Sequence, residues 1–171
     1  MIEFIYLKQP PCRYTMEKAP KLKEWIVSKI KKYNCENVLN LFAGKTIISD
    51  GSFKEIRIDL DKEMPLLDEN IDADIYIDKC IQNNVKYDCI LSDPPFSIRK
   101  SREKYEGRYI GCYTKLKNKL PLLLNKNGII IEFGFTAMGM SNSRGFELKD
   151  LCIVAHGGDH SATIITVETL K

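Results

Sequence analysis

Short apolar runs that are followed or closed by a glycine or an acid recur along the chain, and they limit its fold more than any other feature. Apolar strands separated by helical or loop segments are typical of an α/β protein whose sheet is mostly parallel. Functional groups in such sheets gather at the carboxyl ends of the strands. The predicted strands cover 37–42, 55–61, 73–78 and 87–93, and the residues at their ends are Gly44, Asp59, Asp78 and Asp93.

The remaining segments complete a single domain over residues 1–171. Residues 1–15 predict an edge strand or an arm, and the spacing of Leu22, Trp25 and Ile26 after Pro20 predicts a helix. A second helix is predicted over 107–125, kinked at Pro121. A fifth strand at 128–133 and two final runs joined by GGDHS predict a closing antiparallel hairpin. We therefore expect an N-terminal arm and helix (1–36) and a core (37–171), without a separate target-recognition domain.

Composition excludes several classes of protein. The net charge of +3 gives no global electrostatic case for nucleic acid. The six cysteines form no C-x-x-C pair, so reduced thiols in the cytoplasm are expected rather than a zinc site or a disulfide framework. Two glycines between His156 and His160 indicate a hairpin turn rather than metal ligands. No signal peptide or membrane helix is predicted.

The first three strand ends describe a nucleoside pocket. Gly44 would let a ligand approach the backbone closely. Asp59, about 15 residues further on, is placed to accept hydrogen bonds from ribose hydroxyls. Asp78 could accept from an adenine amino group. Any one of these acids taken alone reads first as an ordinary polar residue where a strand meets water, and it is their order along the chain with Gly44 and Asp93 that favours the pocket.

The fourth strand ends in the sequence SDPPF, which predicts a stiff elbow. Asp93 and Pro94 each precede a proline, which favours extended backbone. Pro94 and Pro95 have no N–H, so the segment presents the Asp93 carboxylate and the Pro94 carbonyl as two acceptors. Two acceptors suit a planar amino group, and Phe96 could stack on the ring that carries it. A base in a duplex would have to be flipped out to reach such a site.

The ordered set of these motifs resembles the S-adenosylmethionine-dependent amino-group methyltransferases of the Rossmann-like class. DPPF resembles their catalytic motif, VLNLFAGKT their cofactor loop, RIDLD their ribose-binding strand end, and DIYIDKC the position whose acid meets adenine. The resemblance covers roughly residues 37–168. It implies a class I methyltransferase fold: a mostly parallel seven-stranded sheet with a C-terminal antiparallel hairpin.

The resemblance also implies the role of each site residue. Phe42, Ala43 and Gly44 would line the methionine part of S-adenosyl-L-methionine, Asp59 would bind its ribose and Leu60 would pack on its adenine. Asp93 and Pro94 would orient the target amine beside the cofactor, within the catalytic motif Asp93, Pro94, Pro95 and Phe96. The methyl group would pass directly to nitrogen, so that orientation and desolvation are the main contributions of the enzyme.

Three features of the cofactor loop depart from the family pattern. Asn40, counted among the cofactor-binding residues, stands where an acid is usual, and Thr46 stands where a second glycine is usual. About ten residues separate Gly44 from the next strand, too few for an ordinary crossover helix. Lys45 is a candidate partner for the cofactor carboxylate, and a solvated surface lysine is the alternative.

Two readings from other classes stay open at this point. AGKT resembles the end of a nucleotide-triphosphate loop, but Leu39 stands where that motif has its first glycine. The helix expected after Lys45 would be interrupted by Asp50-Gly51. A non-catalytic nucleic-acid binding module with the same fold is the other alternative, and a pure binder has no use for the paired acceptors of DPPF.

A basic segment follows the elbow and suggests the substrate. Eight lysines and arginines lie between Arg99 and Lys119, interleaved with tyrosines at 105, 109 and 113. Such residues hold phosphates and stack on bases. The alternative without a binding role is a solvated loop followed by a helix whose exposed face is rich in lysine. We expect a nucleic-acid partner, with adenine N6 of DNA first and an RNA base (adenine N6 or guanine N2) as the alternative. Sequence specificity could come from a homodimer or a partner protein.

Overall fold

The computed structural model of the chain describes residues 1–8, 15–94, 113–158 and 160–171. Within these ranges, one sheet of eight strands runs through the protein in the order β1-β7-β8-β6-β5-β2-β3-β4. The strands are β1 (Ile2–Tyr6), β2 (Asn37–Asn40), β3 (Lys54–Asp59), β4 (Glu69–Asn70), β5 (Tyr87–Ser92), β6 (Leu124–Gly134), β7 (Phe146–Ala155) and β8 (Thr163–Leu170). The helices are α1 (Pro20–Lys32), α2 (Ala73–Gln82) and α3 (Tyr113–Lys119).

The central strands are parallel, and β8 is the antiparallel member of the sheet. β6, β5, β2, β3 and β4 pair in parallel, while β8 lies antiparallel between β6 and β7. The predicted closing hairpin is confirmed as β7 and β8. The predicted N-terminal edge strand is β1, which pairs in parallel with β7 and adds an eighth strand to the seven expected.

Two hydrophobic clusters lie on opposite faces of the sheet. Helix α1 covers one face with Leu22, Trp25, Ile26 and Ile30, as its helical spacing predicted. Pro20 occupies the first turn, where the missing N–H removes no helical hydrogen bond. Helices α2 and α3 and the 3-10 turn Leu120–Leu123 cover the other face. Each apolar strand is therefore buried on both sides, as parallel strands generally are.

The third predicted strand is wrong, because residues 73–78 belong to α2. The Asp72 side chain accepts hydrogen bonds from the N–H groups of Asp74 and Ile75, which caps the helix. Ala73, Tyr76, Ile77 and Cys80 of the helix are buried. The strand beside β3 is instead β4. It has two polar residues, so the sequence contains no apolar run that would predict it.

Two further boundaries differ from the sequence expectation. A 3-10 turn that contains Pro121 begins at Leu120, directly after α3, so the predicted division of that helix is confirmed, while 107–112 lie outside the described residues. Strand β6 begins at Leu124, four residues before the predicted start. Between β2 and β3 no residue is helical, as the short crossover predicted.

Candidate functional site

The carboxyl ends of β2, β3, β4 and β5 meet along one edge of the sheet. The Leu41 N–H donates to the Leu91 carbonyl (3.1 Å), and the Ala43 N–H donates to the Ile58 carbonyl (3.0 Å), which holds the end of β2 between its two neighbours. On the outer side, the Asn70 amide donates to the Asp59 carbonyl (2.9 Å). Three of the four predicted strand ends, at Gly44, Asp59 and Asp93, therefore lie at a common edge. This is where α/β sheets bind ligands.

Asp93 comes directly after β5, at this edge. Ser92 before it and Pro94 after it are buried, whereas Asp93 retains partial exposure. Burial raises the pKa of Asp93 to about 7. No described residue donates a hydrogen bond to its side chain. Near neutral pH, a carboxyl group with such a pKa is populated both as the acid and as the carboxylate, which suits proton transfer. The other predicted catalytic residues, Pro95 and Phe96, lie outside the described residues.

Asp59 joins the loop after β2 to the loop after β3. One carboxylate oxygen accepts from the Gly44 N–H (2.9 Å) and the other from the Asp61 N–H (2.8 Å). Each oxygen has a further lone pair, so the predicted bonds to ribose are compatible with this arrangement. Leu60, beside it, is exposed at 47% and available for packing against a planar ring.

The loop after β2 faces open space at Gly44. Its φ of +54° lies in the left-handed region, which glycine adopts without strain. A Cβ added there would meet nothing closer than the Phe42 carbonyl oxygen at 4.0 Å. Phe42 is partly exposed, Ala43 is buried and Lys45 is exposed. The predicted cofactor loop thus has room for a ligand against its backbone.

A buried ion pair holds this loop in the absence of a helix. The Arg57 guanidinium lies 3.0 Å from the Glu55 carboxylate, and both side chains are less than 5% exposed. The same guanidinium donates to the backbone carbonyls of Thr46 (2.7 Å) and Gly44 (2.8 Å). A crossover helix would satisfy such carbonyls internally. Arg57 takes over that task for the loop.

Glu55 serves the other half of the same loop. Its second oxygen accepts from the N–H groups of Ile48 (2.8 Å) and Ser49 (2.9 Å). The Asn40 amide donates to its first oxygen (2.9 Å). Asn40 is 1% exposed, so we expect it to act through Glu55. Sequence reasoning missed the pair, although an arginine and a glutamate two residues apart on one strand are the available signal.

Asp78 does not reach the common edge. It lies on α2, where its carboxylate pairs with Lys119 of α3 (2.7 Å), and its side chain is half exposed. The predicted contact of Asp78 with an adenine amino group is therefore wrong. Asn70 and Ile71, at the end of β4 beside Asp59, occupy the place that was assigned to it.

A row of polar side chains that the sequence did not predict lies beside Asp93. The Ser92 and Tyr113 hydroxyls are 2.8 Å apart, and Glu132, opposite Ser92 in the sheet, accepts from Lys117 (2.6 Å). Burial raises the pKa of Glu132 although Lys117 opposes the shift. Burial also raises the pKa of Tyr113 well above its usual value. This row fixes α3 against the end of β5.

The basic segment 99–119 is only partly described. Residues 99–112, with Tyr105 and Tyr109, lie outside the described residues. Of the remainder, Tyr113 contacts Ser92, Lys117 pairs with Glu132, and Lys119 pairs with Asp74 (2.9 Å) and Asp78. These three side chains therefore have partners within the protein, whereas Lys115 of the same segment is exposed.

The described part of the chain offers neither a metal site nor a membrane-spanning helix. It contains no group of three or more histidine, cysteine, aspartate or glutamate side chains that could hold a metal ion. None of its helices has the length and apolar character needed to cross a membrane.

Comparison with solved structures identifies the fold. SMU.776, solved in complex with SAH, superposes with a TM-score of 0.56 at 18% identity over 79% of this chain. A SAM-dependent methyltransferase from Agrobacterium tumefaciens gives 0.61 at 12% identity over 89%. One from Clostridium acetobutylicum ATCC 824 gives 0.56 at 13% identity over 88%. The predicted α/β fold of the class I methyltransferases is confirmed, with eight strands in a mixed sheet.

The match differs in extent from one structure to the next. The chain spans 45% of SMU.776, 62% of the Agrobacterium protein and 91% of the Clostridium protein. No protein-family model and no curated protein matches the chain by sequence. At these identities the similarity establishes the fold, and the chemistry has to be argued from the site.

Proposed function

We propose that the protein is an S-adenosylmethionine-dependent methyltransferase that modifies an exocyclic amino group of a nucleobase, with adenine N6 of DNA as the first candidate. The observation that carries the proposal is Asp93, whose pKa of about 7 is set by burial at the end of β5. It lies at the same sheet edge as the open backbone of Gly44 and the carboxylate of Asp59.

The residues at the sheet edge fit the cofactor. S-adenosylmethionine supplies a methyl group on a positively charged sulfur. The Gly44 backbone offers close approach, Asp59 offers free lone pairs for ribose hydroxyls, and Leu60 offers an apolar surface for adenine. Asn70 adds an amide beside Asp59. These groups come from three neighbouring strands, so the fold brings them together without help from the missing crossover helix.

Asp93 can both orient the target amine and take its proton. Its ionised carboxylate and the Pro94 carbonyl would each accept a hydrogen bond from one N–H of a planar amino group. These two bonds would direct the nitrogen lone pair toward the methyl group of the cofactor. On receiving a methyl group the amine nitrogen would become cationic, and the Asp93 carboxylate would take up the proton that it releases. A carboxylate whose pKa lies near the working pH is well matched to that step.

The nucleotide-triphosphate loop reading is disfavoured by the backbone. That motif needs a helix directly after the lysine, because helix N–H groups bind the phosphates. Residues 41–53 contain no helix, and Arg57 and Glu55 occupy the loop carbonyls and N–H groups. A thermal-shift comparison should therefore show stabilisation by S-adenosylmethionine and none by ATP with magnesium.

Methyl-labelled cofactor tests the proposal directly. The protein is incubated with separate pools of DNA, RNA and protein, and each pool is digested to nucleosides or amino acids. Label in N6-methyladenine from DNA is expected, and an Asp93→Asn variant provides the background. Label in an RNA base would move the substrate to the stated alternative. Label in protein alone, or the same signal from the variant, would overturn the assignment.

Lys45 is proposed to pair with the cofactor carboxylate. Lys45→Ala should weaken S-adenosylmethionine binding a few-fold, equivalent to about 1 kcal/mol, because an exposed ion pair is lost. Lys54→Ala, an exposed lysine at the start of β3, is the matched control and should leave affinity unchanged. Isothermal titration measures both. Equal affinities for the wild type and the Lys45 variant would remove this contact from the proposal.

A polynucleotide substrate should make the reaction sensitive to salt. Contacts to several phosphates release counterions, so log(kcat/KM) should fall linearly with the logarithm of salt concentration. Methylation of a free nucleoside, measured in parallel, should change little and corrects for effects on the enzyme itself. Identical salt dependence for the two substrates would contradict phosphate contacts and point to a small acceptor.

A further inference from the structure

Among the residues that the structure describes, the backbone of β1 is paired along one side only. Within the described ranges, β1 is at the end of the strand order and β7 is its one partner. The Leu151 N–H donates to the Met1 carbonyl (2.9 Å), and the Leu7 N–H donates to the Ala155 carbonyl (2.8 Å). Because backbone groups point to alternate sides along a strand, the odd-numbered residues of β1 bond to β7. The N–H and C=O groups of Ile2, Phe4 and Tyr6 therefore point away from the sheet.

The same three residues carry exposed apolar side chains. Ile2, Phe4 and Tyr6 are exposed at 62%, 55% and 76%, and the Phe4 and Tyr6 rings stack at 6.3 Å. Their side chains share one face of the strand, while Ile5 on the opposite face is in the core. The outer edge of the sheet thus combines free hydrogen-bonding groups with a continuous apolar strip.

Strand β1 contains no lysine, no proline and no bulge between Ile2 and Tyr6. Natural proteins guard such edges with lysine, proline, bulges or inward-pointing charges. Here the one charged residue is Glu3, whose side chain is on the opposite face and pairs with Lys29. A strand added at this edge would therefore meet no unpaired charge and no missing N–H.

We propose that β1 pairs with β1 of a second copy of this chain, antiparallel about a two-fold axis through Phe4. In this register Phe4 faces Phe4 of the second copy, and Ile2 faces Tyr6 of the second copy. All three are hydrogen-bonded pairs, because the outward N–H and C=O groups belong to these residues. The pattern I-x-F-x-Y is apolar at symmetric positions around its centre, so the surface is complementary to itself, as a closed dimer requires. The inference is independent of the proposed reaction.

A single nucleic-acid strand is the other occupant that exposed aromatic rings could suggest. Base stacking needs open ring faces and nearby positive charge. Between Ile2 and Tyr6 there is no lysine or arginine, Lys8 being the first basic residue after the strand, and the two rings already stack on one another. Nucleic acid would also leave the backbone edge unused. A second copy accounts for both the apolar strip and the free hydrogen-bonding groups.

Sedimentation velocity on the full chain, over a range of concentrations, tests the dimer. The wild type should sediment as a dimer that dissociates on dilution. Phe4→Pro removes the outward N–H without touching the bonds to β7, and it should be monomeric at the same concentrations. Phe4→Lys places two ammonium groups opposite each other and should also be monomeric. Circular dichroism checks that each variant is folded. If Phe4→Pro is not folded, the result for Phe4→Lys decides the test.

Leu148→Lys separates the edge from the neighbouring apolar surface. Leu148 is an apolar residue of β7 that is 44% exposed and does not lie on the free edge. This variant should remain dimeric. A monomeric wild type, a dimer that survives both Phe4 changes, or equal disruption by Leu148→Lys would each overturn the proposal. So would binding of a single-stranded oligonucleotide that is lost in Phe4→Lys while the wild type stays monomeric.

Discussion

Asp93→Asn should reduce kcat for methyl transfer by about 10²–10⁴-fold, the usual range for loss of a general base. The amide turns an N–H donor toward the target amine and cannot take its proton. In the wild type, kcat should rise as pH increases through about 7, because only the ionised form of Asp93 acts as the acceptor. Initial rates between pH 5.5 and 9 measure the profile, and S-adenosylmethionine binding should change little in the variant.

We also expect Asp93→Asn to change how the free energy of unfolding depends on pH. The pKa of Asp93 is raised in the folded state relative to the unfolded chain, so the folded protein binds the proton more tightly between about pH 4 and 7. Wild-type stability therefore loses a contribution as pH rises through that window. Asp93→Asn should remove this contribution. Denaturant unfolding at several pH values measures it.

Asp88→Asn is a matched control at the opposite end of β5. Burial alone would raise the pKa of Asp88, but hydrogen bonds from Asn125 and the Asn37 and Glu36 N–H groups lower it overall. The control should lose stability above pH 4 and keep kcat per folded molecule. A near wild-type rate in Asp93→Asn, or an equal loss of kcat in Asp88→Asn, would contradict the role of Asp93.

Arg57→Met should lower the free energy of unfolding by about 3–5 kcal/mol, because it leaves the Glu55 carboxylate buried without its partner. It also leaves the Gly44 and Thr46 carbonyls without their donor. Lys79→Met breaks the exposed pair with Glu69 and should cost only about 0–1 kcal/mol. Urea unfolding measures both variants.

A double variant separates buried charge from loop geometry. Arg57→Met combined with Glu55→Leu removes both charges and should be more stable than Arg57→Met alone. The double variant still lacks the hydrogen bonds that hold residues 44–49, so it should bind S-adenosylmethionine more weakly than the wild type does. If the single variant costs less than about 1 kcal/mol, the pair does not hold the loop. If the double variant binds the cofactor with wild-type affinity, the geometry of the loop does not depend on the Arg57–Glu55 pair.

The polar groups at the sheet edge could be predicted to different degrees. Gly44, Asp59 and Asp93 follow apolar strands, and their common position follows from parallel pairing alone. Asp78 could not be placed correctly, because residues 73–78 are compatible with a strand and with a helix. The hydrogen bonds from Asp74 and Ile75 to Asp72 decide for the helix. The replacement strand β4 has two residues, which is too short for any periodicity.

The sequence by itself determined the α/β class and three of the four strand ends, because these depend on local periodicity, and the backbone limits of proline predict the elbow at Asp93-Pro94. The tertiary structure decided what surrounds them. Arg57 and Glu55 replace a crossover helix through contacts with a loop 6–13 residues away in the chain. Burial raises the pKa of Asp93, and among the described strands β7 takes one side of β1 and leaves the other without a partner. Such properties depend on which segments pack together, and no local pattern of residues encodes that.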